Sequence, residues 1–139
     1  MEISEVRKRI HATIDRAKQR AAERRARGDE AGRAYATFLD TVAVPMFRQV
    51  ANVLRAEGYQ FTVFTPSGSV RLMSDRAAED FIELTLDTSG DQTQVIGHTS
   101  HRRGRRVMEH EQAVGTPAAL SESDVLEFVL SGLEGFVER

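Results

Sequence analysis

The sequence has 139 residues, of which 40% are hydrophobic and 29% charged, with a net charge of −2 and no cysteine. A chain of this length can form one domain with a true core, and the lack of cysteine excludes disulfides, thiolate nucleophiles and cysteine-ligated metal centres. Residues 1–10 carry several charges and no long apolar run, so we expect no signal peptide, no membrane association and a cytoplasmic location.

The charge is divided unevenly along the chain. Residues 1–27 hold nine Lys or Arg against four Asp or Glu, a net of +5, and the remaining residues hold ten against seventeen, a net of −7. Such a division fits an anionic partner for the first segment, or pairing of that segment with acidic surface of the same protein or a second copy.

The first predicted element is a helix over about residues 4–27. Its apolar residues recur at steps of three and four and form one narrow stripe: Ile3, Val6, Ile10, Ile14 and Ala17. Gly28 followed by Asp29 is typical of a helix end and the N-cap of the next helix. We therefore predict an antiparallel helical hairpin over residues 1–58.

The second predicted helix has the strongest periodicity in the sequence and ends near Gly58. Pro45 lies inside it, but the apolar phase continues through the proline. We therefore predict a continuous helix that is kinked near Pro45. Its apolar face consists of Tyr35, Phe38, Leu39, Val42, Met46, Val50, Val53 and Leu54, with Phe47 at the border, and is typical of a surface that packs on a core.

From residue 59 the apolar period changes from 3.6 to 2, which predicts strands. Turn residues separate the runs, so residues 59–114 predict a four- to five-stranded antiparallel meander. The predicted strands cover about residues 59–63, 70–73, 81–86, 93–99 and 105–112. Charged residues at alternate positions mark one face as wet, so helices should cover the other.

A C-terminal helix closes the chain at residues 120–138, and its apolar stripe is predicted to pack inward: Val125, Leu126, Val129, Leu130, Leu133 and Val137. Ser121 is a suitable N-cap, Asp124 stands at the capping-box position, and Leu120 with Val125 has the spacing of a hydrophobic staple. The sequence thus predicts a single α+β domain over residues 1–139: a helical hairpin, an antiparallel sheet, and a helix packed on the sheet.

One candidate site is the basic segment of residues 98–106. Arginines around Gly104 at a hairpin tip could bind phosphate through guanidinium groups and backbone amides. The alternative is a solvated loop whose charges meet Glu109 and Glu111. The candidate anion-binding residues are His101, Arg102, Arg103, Arg105 and Arg106.

The histidines form a second candidate. If the hairpin is centred near Arg103, His98 and His110 share one sheet face with Ile96 and Met108, where two imidazoles could hold a metal or act as a base. This pattern is weak, and we predict no metal site and no cofactor.

No catalytic motif occurs. The acidic stretch of residues 74–80 is typical of a solvated connector, and the chain has no P-loop, dinucleotide fingerprint, nucleophile elbow or zinc-protease helix. We therefore predict no catalytic residues and favour a non-catalytic role.

Three functions of different classes remain, of which a small-ligand enzyme with a pocket between the sheet and the helices is the least supported. The first is a protein-interaction or regulatory assembly domain, homo-oligomeric through the N-terminal helices, with the stripe Ile3, Val6, Ile10, Ile14 and Ala17 as interface. The second is binding of nucleic acid or a phosphate ligand through the first helix and residues 102–106, which an isoelectric point of about 6.1 disfavours.

Overall fold

In a computed structural model that describes residues 1–90 and 92–137, a very long N-terminal helix leads into a five-stranded sheet and a C-terminal helix. The predicted α+β class is confirmed. The long helix has two α-helical parts, α1 (Ile3–Phe38) and α2 (Val44–Ala56), joined by a π-helical turn at Leu39–Ala43.

The predicted helical hairpin is wrong, because α1 runs through Gly28 and Asp29 without interruption. Residues 18–27 are all strong helix formers, and one glycine inside a helix costs only about 1 kcal/mol. Ending the helix at Gly28 would leave the last four carbonyls and the next four amides without helical partners. Continuing the helix through Gly28 therefore costs less free energy than ending it there in a turn.

The predicted kink near Pro45 is not confirmed either, because the backbone stays helical through Leu39, Ala43 and Val44. Pro45 has no N–H, and in a regular helix its ring would meet the carbonyl of Thr41, four residues earlier. The π-helical turn contains Thr41 and is wider than an α-helical turn. It adapts the helix to the proline without breaking it.

The sheet is the predicted antiparallel meander, with all five strands in chain order. Its strands are β1 (Phe61–Phe64), β2 (Val70–Ser74), β3 (Phe81–Asp87), β4 (Gln94–Arg103) and β5 (Arg106–Gly115). The last two are longer than predicted and form a hairpin of two ten-residue strands. Gly104 opens its two-residue turn with φ +65°, at the position where a type II′ turn favours glycine.

Helices cover one face of the sheet. The chain passes through a short 3₁₀ helix, Pro117–Ala119, into α3 (Glu122–Val137); α2 packs on β1 and β2, and α3 packs on β4. The core between these layers includes Tyr35, Phe38, Phe47, Leu54, Phe61, Leu72, Ile82, Leu84, Val95, Val125, Phe128, Val129 and Phe136.

The predicted start of the last helix is confirmed in its hydrogen bonds. The carboxylate of Asp124 accepts bonds from the backbone N–H and the hydroxyl of Ser121, at 2.9 and 3.0 Å. In return, the N–H of Asp124 donates to the Ser121 oxygen at 3.3 Å. These bonds satisfy amides that the first helical turn leaves free, and they fix where α3 begins.

Candidate functional site

The most distinctive feature of the molecule is the first part of α1. We call residues 3–27 the protruding helix, because their side chains are exposed apart from a half-buried Ala21. At a rise of 1.5 Å per residue this segment is about 37 Å long. Beyond it, Gly28 and Ala31 become half-buried where α1 packs against Pro117–Ala119.

The protruding helix carries an exposed apolar stripe, which we define as Ile3, Val6, Ile10, Ile14 and Ala17. The exposed fractions of the four large side chains are 76%, 40%, 53% and 43%, in chain order. Several of them, with Met1 and Thr13, enclose a shallow groove of about 270 Å³ along the helix. The five residues predicted as an interface therefore lie together on one solvent-facing surface.

Few interactions support this helix locally. Glu5 lies 3.4 Å from Arg9 one turn later, and the Thr13 hydroxyl donates to the Arg9 carbonyl at 2.9 Å. Exposed pairs of this kind contribute about 0.2–0.5 kcal/mol each. Because most helix stability in proteins comes from packing of an apolar face, a helix whose apolar stripe is in water is only marginally stable. A partner surface that buries the stripe would therefore stabilise the protruding helix.

The candidate anion-binding residues are only partly brought together. Arg103 and Arg106 are directly opposite each other at the end of the β4–β5 hairpin, and Arg105 lies in the turn between them. All three are exposed and, within residues 1–90 and 92–137, form no ion pair. Opposed like charges destabilise a strand pair, so an anion at this tip would relieve repulsion.

His101 and Arg102 are engaged elsewhere. The ring of His101 lies 5.9 Å from that of Phe136 in α3, at a near-perpendicular angle. Arg102 lies 3.6 Å from Glu79, and its backbone N–H donates to the buried carboxylate of Asp80 at 2.8 Å. Asp80 thus anchors the hairpin, a role that the sequence of the acidic connector did not indicate.

The two candidate metal-binding histidines do not share a sheet face. His98 is paired with Glu111 and His110 with Thr99, so the imidazoles lie on opposite faces. The prediction that the two histidines share a face is wrong because the hairpin turn has two residues. A two-residue turn places even-numbered β4 residues on the same face as odd-numbered β5 residues. No group of three possible metal ligands occurs among the described residues.

His98 belongs instead to a row of contacts on the sheet face that lacks helices. Arg71 is hydrogen-bonded to Glu83, and its guanidinium lies 4.1 Å from the centre of the Phe81 ring. The Phe81 ring meets the His98 ring edge-on at 5.1 Å, and His98 lies 3.8 Å from Glu109. The row links four strands side by side and accounts for these charges structurally.

A second exposed helical surface occurs on α3. We call Glu127, Leu130, Glu134 and Val137 the acidic ridge; all four are exposed, Leu130 and Val137 by 49% and 52%. Residues 122–137 contain four Asp or Glu and no Lys or Arg. The ridge therefore combines apolar side chains with negative charge. The sequence pattern predicts that Leu130 and Val137 pack inward, which is wrong, because α3 turns both towards solvent.

Tyr35, Asp87 and Asp124, outside these surfaces, have shifted pKa values. Burial and the charge of Glu83 raise the pKa of Tyr35 to about 12, and its hydroxyl donates to the Gly68 carbonyl at 2.7 Å. Hydrogen bonds from Ser89 and Ser121 lower the pKa values of Asp87 and Asp124 respectively. Each buried side-chain nitrogen or oxygen in the described part has a hydrogen-bond partner.

Comparison with known proteins gives no relative: no family model matches the chain, nor does any curated protein or solved structure. None of the helices in residues 1–90 and 92–137 is both long and apolar enough to cross a membrane. The exposed surfaces of the molecule are therefore the features that bear on its function.

Proposed function

We propose that this protein is a non-catalytic assembly domain that forms homo-oligomers through its protruding helix. The observation that carries the proposal is the exposure of Ile3, Ile10 and Ile14 along one face of a helix that extends beyond the body. We also propose a cytoplasmic location, since a chain without cysteine forms no disulfide that would need an oxidising compartment.

The shape of the apolar stripe favours a helical partner surface. Residues spaced three and four apart form a narrow seam along the helix, the pattern that packs against one facing element. The body buries its own apolar residues between the sheet, α2 and α3. A second copy is the occupant that needs no additional gene product, and it would cover the stripe on every copy.

The test is the mass in solution of variants with charge on the stripe. We expect Ile10→Asp/Ile14→Asp to reduce the assembly to single chains of 15.5 kDa, because two carboxylates cannot be buried in an apolar contact. The matched control is Ala12→Asp/Gln19→Asp, which places the same charge on the opposite face of the same helix and should leave the assembly intact. Equal masses for both variants would refute the proposal.

A second candidate function is binding of nucleic acid or a phosphate ligand by the basic first helix and the hairpin tip. The opposed Arg103 and Arg106, with Arg105 between them, favour it. Binding of labelled single- and double-stranded DNA or RNA at low salt should then weaken in Arg103→Ala/Arg106→Ala, and the logarithmic salt slope should decrease. Lack of binding at low salt would refute this candidate.

A further inference from the structure

We infer that the protruding helix of one copy docks on the acidic ridge of α3 in a second copy. This inference rests on the proposed function, since it names the surface that covers the apolar stripe. It selects between two surfaces that each copy offers to another: the acidic ridge and the protruding helix itself.

The charges of the two surfaces are complementary. Residues 1–27 have a net charge of +5, whereas residues 122–137 contain four acidic and no basic residues. Pairing two protruding helices would bring +5 against +5, which opposes association. Docking on the acidic ridge replaces that repulsion by attraction.

The spacing of the two surfaces also matches. In the protruding helix, Arg7 lies four residues after Ile3 and three before Ile10. In α3, Glu134 lies four residues after Leu130 and three before Val137. Residues three and four apart are neighbours on a helix surface, so each helix presents two apolar side chains about 10 Å apart with one charge between them.

Each copy carries both surfaces, which determines how assembly proceeds. If two copies exchange helices reciprocally, the contact closes as a dimer, and if each helix reaches a different neighbour, the assembly grows further. In either case the contact places Arg7 of one copy near Glu134 of another. The helix dipoles favour an antiparallel pair, which places Ile10 near Leu130.

Cysteine cross-linking tests this contact directly, because the chain has no cysteine of its own. Oxidation of a mixture of an Ile10→Cys chain and a size-tagged Leu130→Cys chain should give a product that contains one of each, and the Ile10→Cys chain alone should stay uncoupled. Coupling of Ile10→Cys with itself and no mixed product would overturn the inference while leaving the proposed function in place. If no chains couple and the wild-type protein has a mass of 15.5 kDa in solution, both the inference and the proposed function are overturned.

Charge exchange gives a second, independent readout. Arg7→Glu and Glu134→Arg should each weaken association by about fivefold or more, and the double variant should restore it, since the pair regains opposite charges. Glu111→Arg, on the outer face of the sheet, makes the same change in net charge and should have no effect. Weakening in the double variant equal to the product of the two single effects would contradict the contact.

The effect of added salt on association has opposite directions for the two possible docking surfaces. Salt screens attraction between the basic helix and the acidic ridge, so association should weaken as the salt concentration rises. Pairing of two +5 helices would instead strengthen, because salt screens their repulsion. Strengthening with salt would therefore overturn the inference.

Discussion

The ring of Phe128 in α3 lies directly on the backbone of Gly97 in β4. A Cβ atom added to Gly97 would come within 2.2 Å of the ring carbon Cε1. Two glycines of α3 make similar approaches to the same strand, Gly132 beside Thr99 and Gly135 beside the His101 ring. The helix therefore packs on β4 at a distance that only glycine permits.

Gly97→Ala should destabilise the protein by about 3 kcal/mol, because Phe128 would have to leave its place in the core. Gly132→Ala should also destabilise it, although alanine is the better helix former, since the new methyl group would meet Thr99 and Ile82. Urea unfolding of both variants measures the effect. Stability equal to that of the wild type in Gly97→Ala would show that α3 does not contact β4 in this way.

Gly28→Ala should act in the opposite direction. A Cβ at Gly28 meets no atom within 4 Å, and the residue has no positive φ, so alanine should stabilise the continuous helix by about 1 kcal/mol. Thermal unfolding followed by circular dichroism, with hydrogen exchange of residues 22–27, measures this. Loss of helix in Gly28→Ala would indicate that the chain turns at this glycine.

Stability should fall at alkaline pH because of Tyr35. Its folded pKa is about 12, whereas the value in the unfolded chain is near 10.0, so the folded state retains a proton that the unfolded state releases. The contribution is complete below pH 10 and decreases by about 2 kcal/mol as the pH rises towards 12. Tyr35→Phe should remove this pH dependence and cost about 1 kcal/mol at neutral pH, through loss of the bond to the Gly68 carbonyl.

The exposed Tyr59 provides the control for that measurement. Tyr59→Phe leaves Tyr35 as the one tyrosine whose ionisation is seen by absorbance, and it should keep the alkaline loss of stability. A Tyr35→Phe protein that still loses the same stability between pH 10 and 12 would contradict the assignment.

The cap of α3 should weaken in acid. Hydrogen bonds from the backbone and side chain of Ser121 lower the pKa of Asp124 below 3.8, so its stabilising effect is present above that pH and is lost as the pH falls through the folded value. Ser121→Ala should cost about 1 kcal/mol at neutral pH, whereas the neighbouring Ser123→Ala should have little effect. Chemical denaturation of the two variants at pH 7 and pH 3 measures their free energies of unfolding. Equal destabilisation by the two substitutions at pH 7 would show that Ser121 does not cap the helix.

Local patterns were sufficient to predict the sheet and the last helix. Alternation of apolar and polar residues predicted a meander of four or five strands, and the Ser121 and Asp124 pair identified the start of α3, because both signals arise within a few residues. The helical hairpin failed for the opposite reason. Whether Gly28 ends a helix depends on the balance between its small cost and the strong helix formers around it, and the local motif does not reveal that balance.

Contacts that depend on register or orientation could not be predicted. The faces of His98 and His110 depend on whether the hairpin turn has two or three residues, and the close approach at Gly97 depends on where α3 crosses β4. For the candidate site, periodicity identified the apolar stripe from Ile3 to Ala17. Its exposure depends on where the sheet and the other helices lie relative to the protruding helix, which periodicity does not show. The acidic ridge likewise required knowing which side of α3 faces the sheet.

Sedimentation equilibrium of the unmodified protein over a concentration series tests the central claim most directly. The exposed stripe predicts a mass that is a multiple of 15.5 kDa and that dissociates on dilution, with the protruding helix protected from hydrogen exchange only in the assembled form. A constant mass of 15.5 kDa at every concentration, with residues 3–27 stably helical, would contradict an assembly role for this helix.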